Sequence, residues 1–179
     1  MKRTLLRYDS LHQVTGSSDL WVIMLTDKQR QRAISVVCDE DMAAQLKVRI
    51  NAPEISKILL PEALIQMLHS TYEMLIVGIY DGLYQVMLMD MENGESVRLR
   101  MSDAILMSII SKTPLYMEDG LMRHQSYPCE DFSKGEAIPI NAMGMDYLKQ
   151  ALDKAIEDEN YELASHIRDE IKLRRSKDG

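Results

Sequence analysis

Arg100-Met101-Ser102-Asp103 gathers a guanidinium, a hydroxyl and a carboxylate where the alternating pattern Val97-Arg98-Leu99-Arg100 turns into a helix start. Arg100 is expected as the last strand residue. Ser102 can cap the helix by accepting from its free amides, and Asp103 adds a carboxylate at the positive end of the helix dipole. Such a corner either holds the structure together, as a cap with an ion pair beside it, or serves a reaction. The acidic run Asp39-Glu40-Asp41 offers the same choice: as a metal site it needs partners from elsewhere in the chain, and as a helix start it needs none. His12, His69, His124 and His166 stand in no metal-binding spacing.

These residues need a frame. Leu20 to Thr26 and Ala33 to Cys38 read as β-strands around the polar stretch Asp27 to Arg32, which predicts a hairpin. A helix follows, with Asp39-Glu40-Asp41 as cap and first-turn acids and Met42, Ala43, Leu46 and Ile50 as one apolar face. A second helix fits Pro61 to Thr71, since proline is tolerated in a first turn and Leu64, Ile65, Leu68 and Tyr72 repeat at helical spacing. Met74 to Tyr80, Leu83 to Asp90 and Glu95 to Met101 then form a β-meander. Its joints, Asp81-Gly82 and Asn93-Gly94, allow the positive φ of tight turns. The helix Ser102 to Lys112 comes next, and Pro114-Leu115-Tyr116-Met117 reads as a short edge strand, where a leading proline forfeits no ladder bond. The expected fold is α+β, a mixed or antiparallel sheet with β-hairpins and packed helices over residues 1–124, followed by a C-terminal helical hairpin. Residues 125–144, with Pro128, Gly135, Pro139 and Gly144 and weak periodicity, read as a linker or wrapping arm.

Residues 145–179 form the hairpin. Met145, Leu148, Leu152, Ala155 and Ile156 make one stripe, and after Glu157-Asp158-Glu159-Asn160 a second uses Tyr161, Ala164, Ile167 and Ile171. Asn160 is placed to cap the second helix, and Ala164 lets the two approach closely. Two helices this short bury little alone, so the hairpin either clasps its own domain, self-associates or docks on a partner.

Composition bounds the partners. The 179 residues, 46% apolar and 27% charged, are a globular balance, and the net charge of −7 argues against coating nucleic acid through a broad basic surface. Lys28-Gln29-Arg30-Gln31-Arg32 and Arg174-Arg175-Ser176-Lys177 are local basic runs that read as a solvated turn and a helix tail. Cys38 and Cys129 lie far apart, which fits a reducing cytoplasm, and neither the charged start nor the run Leu20 to Leu25 suits a leader or a membrane span. The fourteen methionines fill core and interface space, and Met87, Met89 and Met91 share one strand face that would suit a subunit contact. An exposed edge strand and an under-filled hairpin together predict a homo-oligomer.

Two resemblances add to these readings. The tail from Leu148 to Ile171, with its acidic turn, Tyr161, Ala164 and the ending Ile167-Arg168-Asp169-Glu170-Ile171, resembles the UVR motif. That implies a protein-binding hairpin of the kind linking subunits of nucleotide excision repair and found in stress adaptors of the protein arginine kinase system. Leu152, Tyr161, Ala164, Ile167 and Arg168 are then the partner-binding candidates. The body resembles the bifunctional nuclease domain family: Arg100-Met101-Ser102-Asp103-Ala104-Ile105 matches its Arg-Pro-Ser-Asp-Ala-Ile signature apart from Met101, and Thr113-Pro114-Leu115-Tyr116 matches its Ala-Pro-Ile-Tyr. The stretch Ala33 to Ala43 aligns Glu40 with the glutamate of that family's Gly-x-x-Glu-Ala.

The second resemblance implies cleavage of DNA or RNA. Phosphodiester hydrolysis needs an activated water and charge stabilisation at phosphorus, usually from carboxylate-bound metal with arginine or lysine support. Asp103 and Glu40 would then be ligands for Mg²⁺ or Mn²⁺, Glu62 a further ligand or base, and Arg100 the phosphate contact. Where the family carries Thr-His-Asp this chain reads Leu60-Pro61-Glu62, which keeps a carboxylate and drops the histidine. Two functions therefore stand side by side: a metal-dependent nuclease delivered by its hairpin, and a non-catalytic oligomeric adaptor that recruits a repair or stress-response component.

Overall fold

A computed structural model of the chain describes residues 2–14, 19–80, 82–129, 145–157 and 159–175. Residues 130–144 of the expected arm, Asp81 of the first tight turn, Asp158 of the acidic turn and the end of the basic run at 176–177 lie outside the described residues.

One mixed sheet of eight strands organises the body. They are β1 (Arg3–Gln13), β2 (Leu20–Asp27), β3 (Arg32–Asp39), β4 (Tyr72–Tyr80), β5 (Leu83–Asp90), β6 (Ser96–Leu99), β7 (Leu115–Glu118) and β8 (Tyr127–Pro128). Their order in the sheet is β6-β5-β4-β7-β1-β2-β3-β8, and every pairing is antiparallel except β4 with β7. The fold is α+β with a C-terminal helical pair, as the sequence predicts. The hairpin β2–β3 and the meander β4–β5–β6 stand where their turn residues put them, with Gly82 and Gly94 at φ 73° and 76°.

The strand at Pro114 departs from expectation, because β7 is central rather than an edge. It lies between β4 and β1, and Pro114 sits just before it, with its carbonyl accepting from the Met74 amide at 2.9 Å. The ring is thus outside the ladder, and Leu115 and Met117 alternate into the core, both buried. Arg3 of β1 stitches the neighbourhood: its guanidinium stacks over Tyr116 and reaches Glu73 of β4 through two hydrogen bonds, of 2.6 and 3.3 Å. β1 itself carries no strict alternation, which hides it in the sequence.

Helices α1 (Glu40–Asn51), α2 (Pro53–Ser56), α3 (Leu60–Gln66), α4 (Met101–Ser111) and α5 (Asp119–Gln125) accompany the sheet. Ala43 and Leu46 of α1 join Met101, Ala104 and Ile105 of α4 over Ile23, Leu25, Ile34, Met74, Ile76 and Val86 in the main core. A smaller cluster, Val22, Met24 and Ala33, uses alternate residues of β2 and β3 and is met by Tyr127 and Cys129. Arg32 fastens this back face by hydrogen bonds to the hydroxyl and carbonyl of Ser126, and the Cys129 amide donates to Gln31.

Two helices differ from their expected faces. In α1, Ile50 is exposed and Arg49 is buried in its place, one residue earlier in the turn. The second helix runs Leu60–Gln66 rather than to Thr71, and Tyr72 already belongs to β4. Its expected apolar face points outward, with Leu64 and Leu68 exposed, while Glu62 is buried. Both departures have one cause, the pairing of Arg49 with Glu62 described below.

The hairpin consists of α6 (Met145–Glu157) and α7 (Tyr161–Arg175). Leu148, Ala155, Ala164, Ile167 and Ile171 form its own buried cluster, with Met145, Ala151 and Leu152 partly covered. Ile156 and Tyr161, expected in the inward stripes, are instead exposed at the turn. The turn is a Schellman motif: the Asn160 amide donates to the Ala155 carbonyl at 2.8 Å, the Glu159 amide to Ile156 at 3.1 Å, and Glu159 takes φ 55°. Asn160 holds the N-cap position of α7, its carbonyl accepting the first helical bond from Ala164.

Candidate functional site

Two strand-to-helix corners define the candidate site. At the first, β3 ends in Asp39, whose carboxylate accepts from the Met42 amide at 2.8 Å and caps α1, leaving Glu40 and Asp41 exposed in the first turn. At the second, β6 ends at Leu99. Arg100 is the capping residue of α4 by its extended backbone, not the last strand residue, and the helix begins at Met101. Ser102 therefore lies within the first turn, and no side chain caps this helix.

Arg100 and Asp103 meet here. Arg100 Nε donates to Asp103 Oδ2 at 2.7 Å and Nη2 to Oδ1 at 3.0 Å, a bidentate pair one helical turn long. The Asp103 hydrogen bond and charge, with Asp39 adding its own, raise the Arg100 pKa. The ends of β3 and β6 meet on one side of the molecule, where Val36 and Val37 line the same cavity as Arg98 to Ser102. With 77% of the Arg100 side chain in solvent, the pair contributes at most about 1 kcal/mol.

Beside the corners opens a cavity of about 400 Å³, lined by Val36 and Val37 of β3, Gly82 to Gln85 at the start of β5, and Arg98 to Ser102. Strands distant in sheet order thus face one another across it. Its walls are mainly apolar, with Arg98 and Arg100 as the cations. Sequence reasoning missed it, although two arginines at i and i+2 of the alternating run Val97-Arg98-Leu99-Arg100 were the available signal.

Glu62 lies elsewhere in the pattern of contacts. It receives Arg49 Nη2 on Oε2 at 2.9 Å, and Arg49 Nε stands 2.8 Å from Oε1, close in charge but out of line for a hydrogen bond. Both side chains are buried. Arg49 Nη1 also donates to the carbonyl and side-chain oxygen of Gln45 at 2.9 and 2.7 Å, so the fork is held on three sides. An arginine on the apolar face of α1, three residues after Leu46, was the available signal for this pair. Among the described residues, no cluster of three or more His, Cys, Asp or Glu is arranged to hold a metal ion. The basic hairpin loop is balanced in turn: Arg30 pairs with Asp9 at 2.5 Å, and Asp27 accepts from the Gln31 and Arg32 amides.

The thiols are quiet. Burial pushes Cys38 up to about 12, with Asp39 adding to the shift, and burial also raises Cys129.

Of the hairpin candidates, Ala164 and Ile167 are buried in the hairpin itself and Leu152 is partly covered. Tyr161 and Arg168 face solvent; Arg168 donates to Ser165 Oγ at 3.1 Å and lies 3.6 Å from Asp169. Among the described residues no helix is long and apolar enough to cross a membrane.

Comparison with known proteins bears on the hairpin. No curated protein matches the chain. Residues 148–174, which span most of α6 and α7, match the family described as the UvrB/uvrC motif, so this chain carries a UVR element at its C-terminal helical pair.

Proposed function

We propose that the chain is a non-catalytic adaptor whose UVR hairpin recruits a protein partner in DNA repair or a stress response. The observation that carries this reading is the hairpin: a self-sufficient core holds α6 and α7 together, yet Ile156 and Tyr161 stand in solvent at the turn of a matched UVR motif. An apolar pair displayed on a fixed turn is a recognition feature, because its burial is left for a partner to supply. Three of the body's carboxylates support the same reading, while Glu40 and Asp41 stand exposed in the first turn of α1. Glu62 is committed to Arg49, Asp103 to Arg100 and Asp39 to its helix cap.

The nuclease alternative rests on the resemblance of Arg100 to Ile105 to the bifunctional nuclease signature, with Asp103 and Glu40 holding Mg²⁺ or Mn²⁺. That chemistry needs convergent carboxylates with free oxygens. The adaptor reading needs only the turn. Capture of partners by the full chain, compared with an Ile156→Glu/Tyr161→Glu variant, tests it. A partner lost from the variant is the expected outcome, and identical partner sets overturn the reading.

A further inference from the structure

The segment Ile55 to Leu68 is an amphipathic element turned inside out. Leu60, Leu64, Met67 and Leu68 fall at i, i+4, i+7 and i+8, the spacing that normally faces a core. Here that stripe faces solvent, and Ile55 and Ile58 extend it along the chain; the six side chains are between 44% and 87% exposed. The inward side of α3 carries Glu62, locked to Arg49 of α1. That pair fixes the orientation of the helix, because turning the apolar stripe inward would drag a carboxylate out and leave Arg49 buried without its counter-charge.

We propose that this face is the contact between two copies of the chain related by a two-fold axis. Area is the first argument. Six aliphatic side chains at these exposures present roughly 600–700 Å², above the largest patch of an ordinary monomer and near the ~800 Å² that each partner brings to a standard interface.

Charge is the second. Two chains of net charge −7 repel, so an isologous contact must use ground where charge is cancelled locally. Between Pro53 and Ser70 the charged side chains are Glu54, Lys57 and Glu62; the first two pair with each other at 2.5 Å, and the third is buried against Arg49. The patch therefore meets its own copy without like-charge opposition.

Analytical ultracentrifugation of the full chain from about 1 to 100 µM tests the proposal by mass action. A species of twice the chain mass is expected. Ile58→Glu and Ile58→Lys, at a position 87% exposed within one chain, should fold normally by circular dichroism and each weaken the dimer by at least about 30-fold, the effect of losing an interface hot spot. Mixing the two variants should restore a dimer, because opposite charges then face one another across the axis. A monomeric wild-type chain at the highest concentration overturns the proposal. So does a dimer untouched by either variant, or a monomer that binds lipid vesicles through Ile58, which would make a bilayer the occupant.

Discussion

The C-terminal hairpin and helix α3 are built from similar material and resolve it in opposite ways. Both are short helical segments with apolar residues at helical spacing. In the hairpin, Leu148, Ala155, Ala164, Ile167 and Ile171 turn toward each other, and among the described side chains Ile156 and Tyr161 stand in solvent at the turn. In α3 the stripe turns away from the core, since its neighbour α1 offers a buried arginine and the helix answers with Glu62. Apolar spacing thus identifies a helix, whereas the direction of its face depends on what the adjoining element has buried. A single buried charge sets the facing here, because turning the helix over would strand Arg49 without its partner at a cost of about 3–5 kcal/mol.

That comparison is broken most forcefully at Glu62. Glu62→Ala should lose about 3–5 kcal/mol, because it strands a buried guanidinium. Arg49→Met combined with Glu62→Met should return the chain to wild-type stability or above it. Urea unfolding followed by circular dichroism measures both, and a negligible cost for Glu62→Ala would remove the ion pair as the cause of the inversion.

In the hairpin, Ile167→Ala should cost about 2–3 kcal/mol, the lower part of the range for a buried aliphatic truncation, since two helices can close on the gap. The cluster contains residues of α6 and α7 alone. Hydrogen exchange should therefore quicken in residues 145–175 and change little in β2 and β3. Equal loss of protection in both places would mean that the hairpin is not an independent unit.

Alkaline pH sharpens the contrast between the body and the hairpin. Burial raises the pKa values of Tyr8, Tyr84, Tyr127, Cys38 and Cys129, all in the body. Their folded values lie above their unfolded ones, so the unfolded chain releases these protons first. The stability they confer is complete below about pH 9, the ordinary thiol value of 9.0, and declines as pH rises beyond it. Urea midpoints at pH 8 and pH 10.5 should separate for the β-sheet signal, and Cys38 should resist alkylation at pH 8 in the folded chain.

The smallest expected effect lies at the Schellman turn. Glu159→Gly should stabilise the hairpin by up to about 1 kcal/mol, because glycine occupies positive φ without a Cβ penalty. Amide exchange in α6 and α7 would register it.

These same residues mark what the sequence could reveal. The hairpin was legible in its helices, its cap and most of its core, which depend on contacts within some thirty consecutive positions, whereas Ile156 and Tyr161, expected inward, stand in solvent at the turn. The two β-hairpins were legible from their turn dipeptides. β1 was not, because its burial pattern follows two different neighbours, β2 and β7, rather than one solvent-facing alternation. β7 looked like an edge from its proline, whereas its place in the sheet is settled by long-range pairing with β4 and β1. At the candidate site, the Arg100–Asp103 pair was readable from an i, i+3 spacing. The commitment of Glu62 was not, as its partner lies 13 residues away on another helix.

The central proposal is that Asp39, Glu62 and Asp103 serve the fold and that the chain works by binding. Incubation of the purified full chain with single- and double-stranded DNA and RNA in Mg²⁺ or Mn²⁺ tests it most directly. We expect no cleavage beyond that of the Asp103→Ala chain. Metal-dependent cleavage that Asp103→Ala abolishes would contradict the account.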